Sequence, residues 1–264
     1  CPSCERPSNW YRIKAERAYS CQWCGHHLHP TVGTPFEQTR TPLQLWFYAI
    51  HLFTTTRHGV SAKELERQLG VTYKTAWRMA GLIRQHMGDV DGDAKLGGRG
   101  TEVAIDETYV GGARPGAGKG QWLANKTIVM GMVERGGDVM TKVVPNVQRA
   151  TLLPHIKANV RKASKVHTDY LHSYHILPKE GFTHERVNHN AGQYVSATGS
   201  HVQTIEGFWR LLKAGINSTH VWVSGKHLDK YAKEFEYRFN RRQEPHLMLP
   251  ELLSTFRPLK QASR

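Results

Sequence analysis

All four cysteines of the chain lie within its first 24 residues, and their spacing constrains the fold of this segment more than any other feature of the sequence. They form two Cys-X-X-Cys pairs, Cys1 with Cys4 and Cys21 with Cys24, separated by sixteen residues. Each pair can turn two thiolates toward one tetrahedral ion, and the stretch between the pairs is long enough for a β-hairpin. The pattern predicts a zinc ribbon over residues 1–38 with one structural Zn²⁺.

Two disulfides are the alternative explanation of the same cysteines. Disulfides are typical of secreted chains, whereas this sequence shows no secretory signal and no run of about 18 apolar residues that could span a membrane. We therefore favour a metal site and predict a cytoplasmic protein without a membrane partner.

The balance of charge indicates a polyanionic partner. The chain carries 36 Lys and Arg against 22 Asp and Glu, which gives a formal net charge of +14. Basic side chains that neutralise phosphates release condensed counterions, so nucleic acid is the first candidate. We expect the protein to bind double-stranded DNA and to associate with the bacterial nucleoid.

Helical periodicity over residues 39–87 predicts a small helix-turn-helix domain. Ser61 is suited to cap one helix, Gly70 to end it, and residues 72–77 to begin the next. The second helix of such a unit enters the major groove of DNA. The predicted DNA contacts on it are Tyr73, Lys74 and Arg78. An ordinary helical hairpin with a solvated basic face would show the same periodicity.

The rest of the chain alternates between β-rich and helical patterns. Residues 88–100 are small, polar and aperiodic, which predicts an interdomain linker. Residues 101–264 show three β-rich runs, a helix, a fourth strand and a later helix, which is the order of a ribonuclease-H-like α/β domain. The predicted elements are the runs 102–110, 127–134 and 138–144, the helix 148–163, the strand 165–169 and the helix 204–214.

Three carboxylates of this domain are candidates for metal binding. Asp106 lies within the first β-rich run, Asp169 at the end of the fourth strand, and Glu206 on the apolar-faced helix. Each acid alone could equally cap a helix or pair with a lysine. Together they could hold two hard divalent cations about 4 Å apart. Lys213 lies two helical turns beyond Glu206 and could hold a DNA phosphate beside the cations.

These residues and their neighbours resemble the DDE insertion-sequence transposases, in the branch with an N-terminal zinc ribbon that is related to Merlin elements. The matching words are Ala-Ile-Asp-Glu-Thr-Tyr-Val-Gly-Gly (104–112), His-Thr-Asp (167–169), Val-Asn-His-Asn-Ala-Gly-Gln-Tyr-Val (187–195), Ile-Glu-Gly-Phe-Trp-Arg-Leu-Leu-Lys (205–213) and Tyr-Arg-Phe-Asn-Arg-Arg (237–242).

The resemblance implies a catalytic triad of Asp106, Asp169 and Glu206 with two Mg²⁺ (or Mn²⁺) ions per active site. It also implies that the protein binds the terminal inverted repeats of a mobile element, hydrolyses the phosphodiester at the element end and joins the released 3′-hydroxyl to target DNA. Bringing two ends together would require a homodimer or a higher oligomer.

Further basic and histidine residues are weaker candidates for contact with DNA or the site. The loop that contains Arg114 and Lys119 departs from the spacing of a nucleotide-binding phosphate loop, so we predict that it contacts DNA. His189 lies in a family-like word and could order a water or a phosphate behind the carboxylates. Five basic residues of the C-terminal helix form either a DNA-phosphate track or a solvated face: Lys226, Lys230, Arg238, Arg241 and Arg242.

Two other functions fit part of this pattern. A structure-specific nuclease of the same fold would use the same metals without strand transfer. A DNA-binding regulator would keep the ribbon and the helix-turn-helix while its third domain served as a scaffold. The intact set of three carboxylates with Lys213 favours an enzyme.

Overall fold

The computed structural model describes residues 1–92, 94–111, 126–186 and 203–255. The predictions for Arg114, Lys119 and His189 lie outside these ranges. Within them, every helix is too short or too polar to cross a membrane.

The N-terminal segment forms a small antiparallel sheet, in line with the ribbon prediction. Its strands β1 (Trp10–Ile13), β2 (Ala18–Cys21) and β3 (His27–Leu28) pair in chain order. The first two strands make the predicted hairpin, with Trp10 opposite Cys21. The hairpin therefore carries the chain back to the first cysteine pair.

Three helices follow, α1 (Leu43–Thr55), α2 (Ala62–Leu69) and α3 (Tyr73–Asp91). The predicted signals at the turn are confirmed: the Ser61 hydroxyl accepts the Glu64 amide, and Gly70 ends α2 in the left-handed conformation. Helix α3 continues to Asp91, so the first residues of the segment that the sequence predicts as a linker are helical. The reason is packing, because Val90 belongs to the core of the helical domain.

The second part of the chain contains a five-stranded mixed sheet. The strands are β4 (Glu102–Val110), β5 (Thr127–Glu134), β6 (Val139–Val144), β7 (Lys165–Thr168) and β8 (Thr183–Arg186). Their order across the sheet is β6-β5-β4-β7-β8, with antiparallel pairing in the first three and parallel pairing of β4 with β7 and of β7 with β8. This is the predicted ribonuclease-H-like arrangement.

Helices cover both faces of this sheet. Successive side chains of β4 point to opposite faces and therefore belong to two different cores. Helix α4 (Arg149–Asn159) packs on the face of Val103 and Ile105. Helices α5 (Gln203–Gly215) and α6 (Gly225–Asn240) pack on the face of Ala104. Because side chains alternate along a strand, Asp106 faces the same side as Ala104, toward α5.

The C-terminal helices join the sheet domain to the helical domain. Tyr237 of α6, together with Met248 and Leu252 of α7 (Met248–Ser254), lies in the same core as Trp46 and Phe53. Sequence periodicity did not predict this contact, because it identifies an apolar face without identifying what covers it.

The structure also shows what most of the basic residues of α6 contact. Arg238 is buried against Glu234, and Arg241 pairs with Asp91 and Glu251. The guanidinium of Arg242 lies 4.0 Å from the ring centre of Phe239. Arg238, which also donates to the carbonyl of Thr56, and Arg241 therefore connect the sheet domain to the helical domain, whereas Arg242 packs within the sheet domain. For the buried Arg238, both a DNA track and a solvated face are wrong. Lys226 is exposed and Lys230 half-buried.

Candidate active site

Pairing of β4 with β7 brings Asp106 and Asp169 together. The two parallel strands place Ala104 opposite His167, and continuing that register by two residues sets Asp106 opposite Asp169. Asp169 comes directly after β7, where its Oδ1 accepts the backbone N–H of Leu171 at 2.9 Å. The sheet thus presents one carboxylate from within a strand and another from a strand end.

Helix α5 approaches the sheet closely at the same place because β5 has a glycine there. Gly131 pairs with Asp106 across β4 and β5. A Cβ at Gly131 would lie 2.6 Å from the ring of Trp209 and 2.8 Å from the side chain of Ile205. Any other residue would push the helix away, and Glu206 with it. An isolated glycine in a β-rich run signals such an approach, but sequence reasoning did not use it here.

Trp209 links the helix to the sheet by a hydrogen bond. Its indole Nε1 donates to Oδ2 of Asp106 at 2.9 Å, although the two residues are 103 positions apart in the chain. The bond fixes one oxygen of the carboxylate. Sequence reasoning identified Trp209 only as part of the apolar face of α5, so its polar atom was missed.

The three acids share one electrostatic site. Burial raises the pKa of Asp106; the Trp209 hydrogen bond and the Glu107 amide oppose this effect, and the negative charges of Asp169 and Glu206 add to it. Those two charges act on Asp106 because Asp169 and Glu206 lie near it.

A fourth acid, Glu107, lies beside this site on the other face of β4. Burial, together with the charges of Asp106 and Asp169, raises the pKa of Glu107 to about 8. The hydroxyl of Tyr174, a buried residue of the core on the α4 side, donates to Oε1 of Glu107. Sequence reasoning missed Glu107, because it stands next to Asp106 in the same family-like word.

The carboxylates suit divalent cations in donor type. They offer only hard oxygen ligands, which Mg²⁺ and Mn²⁺ prefer. Among the residues that the structure describes, their oxygens do not all lie within 4.8 Å of one another.

The four cysteines match a tetrahedral zinc site more closely. Their sulfurs all lie within 4.8 Å of one another, with Cys1 and Cys24 at 3.7 Å and Cys4 and Cys21 at 3.9 Å. Zn–S bonds of about 2.3 Å in a tetrahedron place the sulfurs roughly 3.8 Å apart. The cluster therefore has the dimensions that zinc requires.

The described residues predicted to contact DNA lie at the surface. Tyr73, Lys74 and Arg78 are exposed on the first two turns of α3. Lys213 is exposed on α5, whereas Glu206 on the same helix is half-buried. The three carboxylates are thus half-buried, and Lys213 is exposed to solvent.

Comparison with known proteins places these features in a family. The model of the ISXO2-like transposase domain matches residues 95–240. An uncharacterised protein in transposable element ISH50 of Halobacterium salinarum is 27% identical over 256 residues, which cover 90% of this chain and 84% of the relative. An uncharacterised transposase-like protein of Haemophilus influenzae is 38% identical over 102 residues, or 39% of this chain and 80% of the relative.

Among solved structures, a chain in the cryo-EM structure of the simian T-cell lymphotropic virus intasome, in complex with PP2A regulatory subunit B56 gamma, aligns with a TM-score of 0.31 and 12% sequence identity. The alignment covers 65% of this chain and 63% of that chain.

Proposed function

The chain belongs to the family of ISXO2-like transposase domains, and from that premise we propose that it is a DNA transposase in which Asp106, Asp169 and Glu206 hold two divalent metal ions. The observation that carries the proposal is the convergence of these three acids. The negative charges of Asp169 and Glu206 both raise the pKa of Asp106. A cluster of like charges in a half-buried position is stabilised by bound cations, and perturbed pKa values of this kind mark functional sites.

The chain's own residues supply binding and orientation in this reaction. Asp106 is held by the indole of Trp209, and Asp169 by the Leu171 amide. Glu206 completes the set from the helix that Gly131 admits to the sheet, and Lys213 binds a DNA phosphate at the rim. Bound divalent ions would activate the attacking oxygen and stabilise the leaving oxygen of an in-line displacement at phosphorus.

The test is cleavage of a plasmid that carries the DNA flanking the coding sequence on both sides. Asp106→Asn, Asp169→Asn and Glu206→Gln should each abolish Mg²⁺-dependent cleavage while DNA binding is retained. Asp138→Asn and Glu180→Gln are matched controls, because both acids lie away from the site and at least partly exposed. Full cleavage by any of the three triad variants would contradict the assignment.

Strand transfer separates a transposase from a nuclease of the same fold. We expect a labelled, pre-cut end with a free 3′-hydroxyl to be joined to unrelated target DNA in the presence of Mg²⁺. The triad variants should lose joining together with cleavage, because the same geometry serves both steps. Cleavage without joining would identify a nuclease.

The ribbon and the helix-turn-helix are proposed to recognise the terminal inverted repeats, in an assembly of at least two copies. The exposed residues on α3 support this role. Lys74→Ala and Arg78→Ala should weaken binding of the flanking DNA and reduce its salt dependence, because phosphate and base contacts are lost. Unchanged binding in both variants would show that another part of the protein recognises the repeats.

The ribbon is proposed to hold one structural zinc ion. The hydroxyl of Ser8 lies 3.1 Å from Cys21 Sγ. Burial acts to raise the pKa of Cys21, yet this hydrogen bond and those from backbone amides outweigh it and lower the pKa to about 6. The thiolate that zinc needs is therefore favoured at neutral pH. Elemental analysis should find one zinc per chain, and Cys21→Ser should lose it.

A further inference from the structure

A cleft of about 340 Å³ lies between the helical domain and the sheet domain, away from the carboxylates. We call it the interdomain cleft. One wall is formed by Lys63 of α2 and by Tyr73 and Trp77 of α3. The other wall is the segment 219–224, which connects α5 to α6, together with His227 of α6. The volume of the cleft is within the usual range of ligand pockets.

Large aromatic side chains are exposed around the interdomain cleft. Trp222 is 67% exposed, and Tyr73 and Trp77 are 47% and 44% exposed. Trp77 meets the His227 ring edge-on, with 5.2 Å between ring centres, so the two domains touch at the floor of the cleft. Exposed rings of this number in one cleft form a platform on which another ring can stack.

The backbone next to Trp222 is strained. Val221 has φ 61° and ψ −46°, and the N–H of Trp222 donates to the carbonyl of His220 at 2.6 Å. This is the γ-turn with positive φ, which is rare and unfavourable for a β-branched residue. The His220 ring packs edge-on against Tyr231 of α6 at 4.8 Å, so the start of the turn is anchored. Strain of this kind persists where a function requires it.

The charge around the cleft is complementary to nucleic acid. Lys63 lies over the Tyr73 ring, but its charge is paired with Glu66 at 2.7 Å. On the far side of the Trp77–His227 contact, a second hollow of about 180 Å³ is lined by residues that include Arg78 and Lys230. Within the described part of the chain, the walls of both hollows contain no acidic side chain.

We propose that the interdomain cleft receives one unstacked base of the DNA substrate, which stacks on Trp222 while a neighbouring phosphate lies against Lys230. The inference rests on the proposed function and deepens it, because it names a nucleotide site in addition to the helix-turn-helix and the carboxylates. A base can reach an aromatic platform only when it leaves the duplex stack, so the site selects DNA that is unpaired or distorted.

The segment that lines the cleft is connected through the sheet to the strand that carries Asp106. Gly225, which follows the cleft segment, packs against Thr127, and Thr127 pairs with Val110 at the end of β4. Val110 is four residues beyond Asp106, or about 13 Å along the strand.

The experiment compares two labelled DNA probes, a random-sequence duplex and the same duplex with one end left unpaired as a fork. Wild-type protein should bind the fork about fivefold or more tightly than the duplex, since stacking on one aromatic side chain contributes that much. Trp222→Ala should lose the preference, and Trp222→Phe should keep most of it because a ring remains. The ratio of the two affinities does not depend on how much of the protein is folded.

Leu247→Ala is the matched control, since Leu247 is also an exposed apolar residue (41%) and lies outside the cleft. It should keep the wild-type ratio. Equal binding of both probes by the wild type, or an unchanged ratio in Trp222→Ala, would overturn the inference. A change of oligomeric state in Trp222→Ala with the ratio intact would also overturn it, because the cleft would then hold a second copy of the chain.

The two proposals can fail separately. If Trp222→Ala keeps the preference while Asp106→Asn has lost cleavage, the nucleotide site is wrong and the transposase assignment stands. If Asp106→Asn still cleaves, the catalytic assignment is wrong whatever the fork ratio shows.

Discussion

Two clusters of buried carboxylates in this molecule have opposite electrostatics. In the triad, Asp106 lies among other acids, and burial with their charges raises its pKa. In the second cluster, Glu234 of α6 is completely buried, and burial acts to raise its pKa as well. There, however, the charges of Arg84 and Arg238 prevail and lower it.

The geometry of the second cluster explains the difference. Glu234 Oε2 accepts from Arg84 Nε at 2.7 Å, and Oε1 accepts from Arg238 Nη2 at 2.8 Å. The two guanidinium groups also donate to the carbonyls of Val60 and Thr56. Arg84 comes from α3, so this cluster connects the helical domain to the sheet domain with its charges satisfied internally.

The comparison teaches how to distinguish a structural from a functional buried acid. A buried acid that is paired with basic side chains stabilises the fold as long as those partners remain. A buried acid whose pKa is raised by neighbouring acids lowers the stability of the fold until cations bind.

The largest effect should come from Asp106→Asn. Loss of a charged metal ligand should lower Mg²⁺-dependent cleavage by roughly 10³-fold or more, because such ions contribute several kcal/mol to stabilising the transition state. Without added divalent ion, the free energy of unfolding should be unchanged or higher, since a repulsive charge is gone. Urea denaturation measures this, and a variant clearly less stable than the wild type would place Asp106 among structural acids.

Glu234→Gln should have the opposite outcome. Removing this charge leaves Arg84 and Arg238 buried without a counterion, which costs about 3–5 kcal/mol of unfolding free energy. Denaturation measures the loss, with Glu180→Gln as control, because its exposed pair with Lys157 should contribute less than about 1 kcal/mol. Cleavage per folded molecule should be retained. A small stability loss would mean that the cluster is not what joins the domains.

The sequence predicted the sheet domain well because its signals are local. The bounds of β4 and β5 coincide with the predicted β-rich runs, since β-branched and apolar residues between glycines specify a strand without reference to the rest of the chain. The predicted helix 148–163 ends earlier, at Asn159. Strand β8, with the polar sequence Thr-His-Glu-Arg, was not predicted, because only pairing with β7 makes it a strand.

Contacts over long sequence separations could not be predicted in the same way. The triad was identified by residue type and family resemblance, while the partners that position it required coordinates. Nothing in the spacing of Trp209 or Gly131 links either residue to Asp106. The pairing of Arg84 with Glu234 spans 150 positions, and a periodic helix pattern indicates only that one face is covered.

Glu107, on the other face of β4 from Asp106, provides a test of the same contrast by pH. Because the pKa of Glu107 is raised from 4.5 to about 8, its stability contribution is fully present below pH 4.5 and is lost as pH rises toward 8. Glu107→Gln should therefore flatten the fall in unfolding free energy over this interval. Denaturation at several pH values, without added divalent ion, measures it. Glu234 has a lowered pKa, so its protonation at acid pH should instead weaken the fold.

The smallest effect should come from Trp209→Phe, which keeps an aromatic ring at this position but removes the indole N–H together with the outer ring atoms that lie nearest Gly131. Trp209 is a positioning residue, since it acts through Asp106. Its hydrogen bond lowers the pKa of Asp106 against the effect of burial, so without it that pKa rises further.

Cleavage by Trp209→Phe should fall about tenfold at neutral pH, the equivalent of one ordinary hydrogen bond to a charged group. The acid limb of its pH–rate profile should shift toward higher pH, because cleavage requires ionised Asp106, and raising the pH should restore part of the rate. A variant whose loss arises only from poorer packing would show a lower rate with an unshifted profile. Phe208→Leu, which alters the neighbouring core of α5 without touching Asp106, is the control for that outcome. Because the shift in pH and the loss in rate both follow from one hydrogen bond, finding one without the other would show that Trp209 supports the helix rather than the carboxylate.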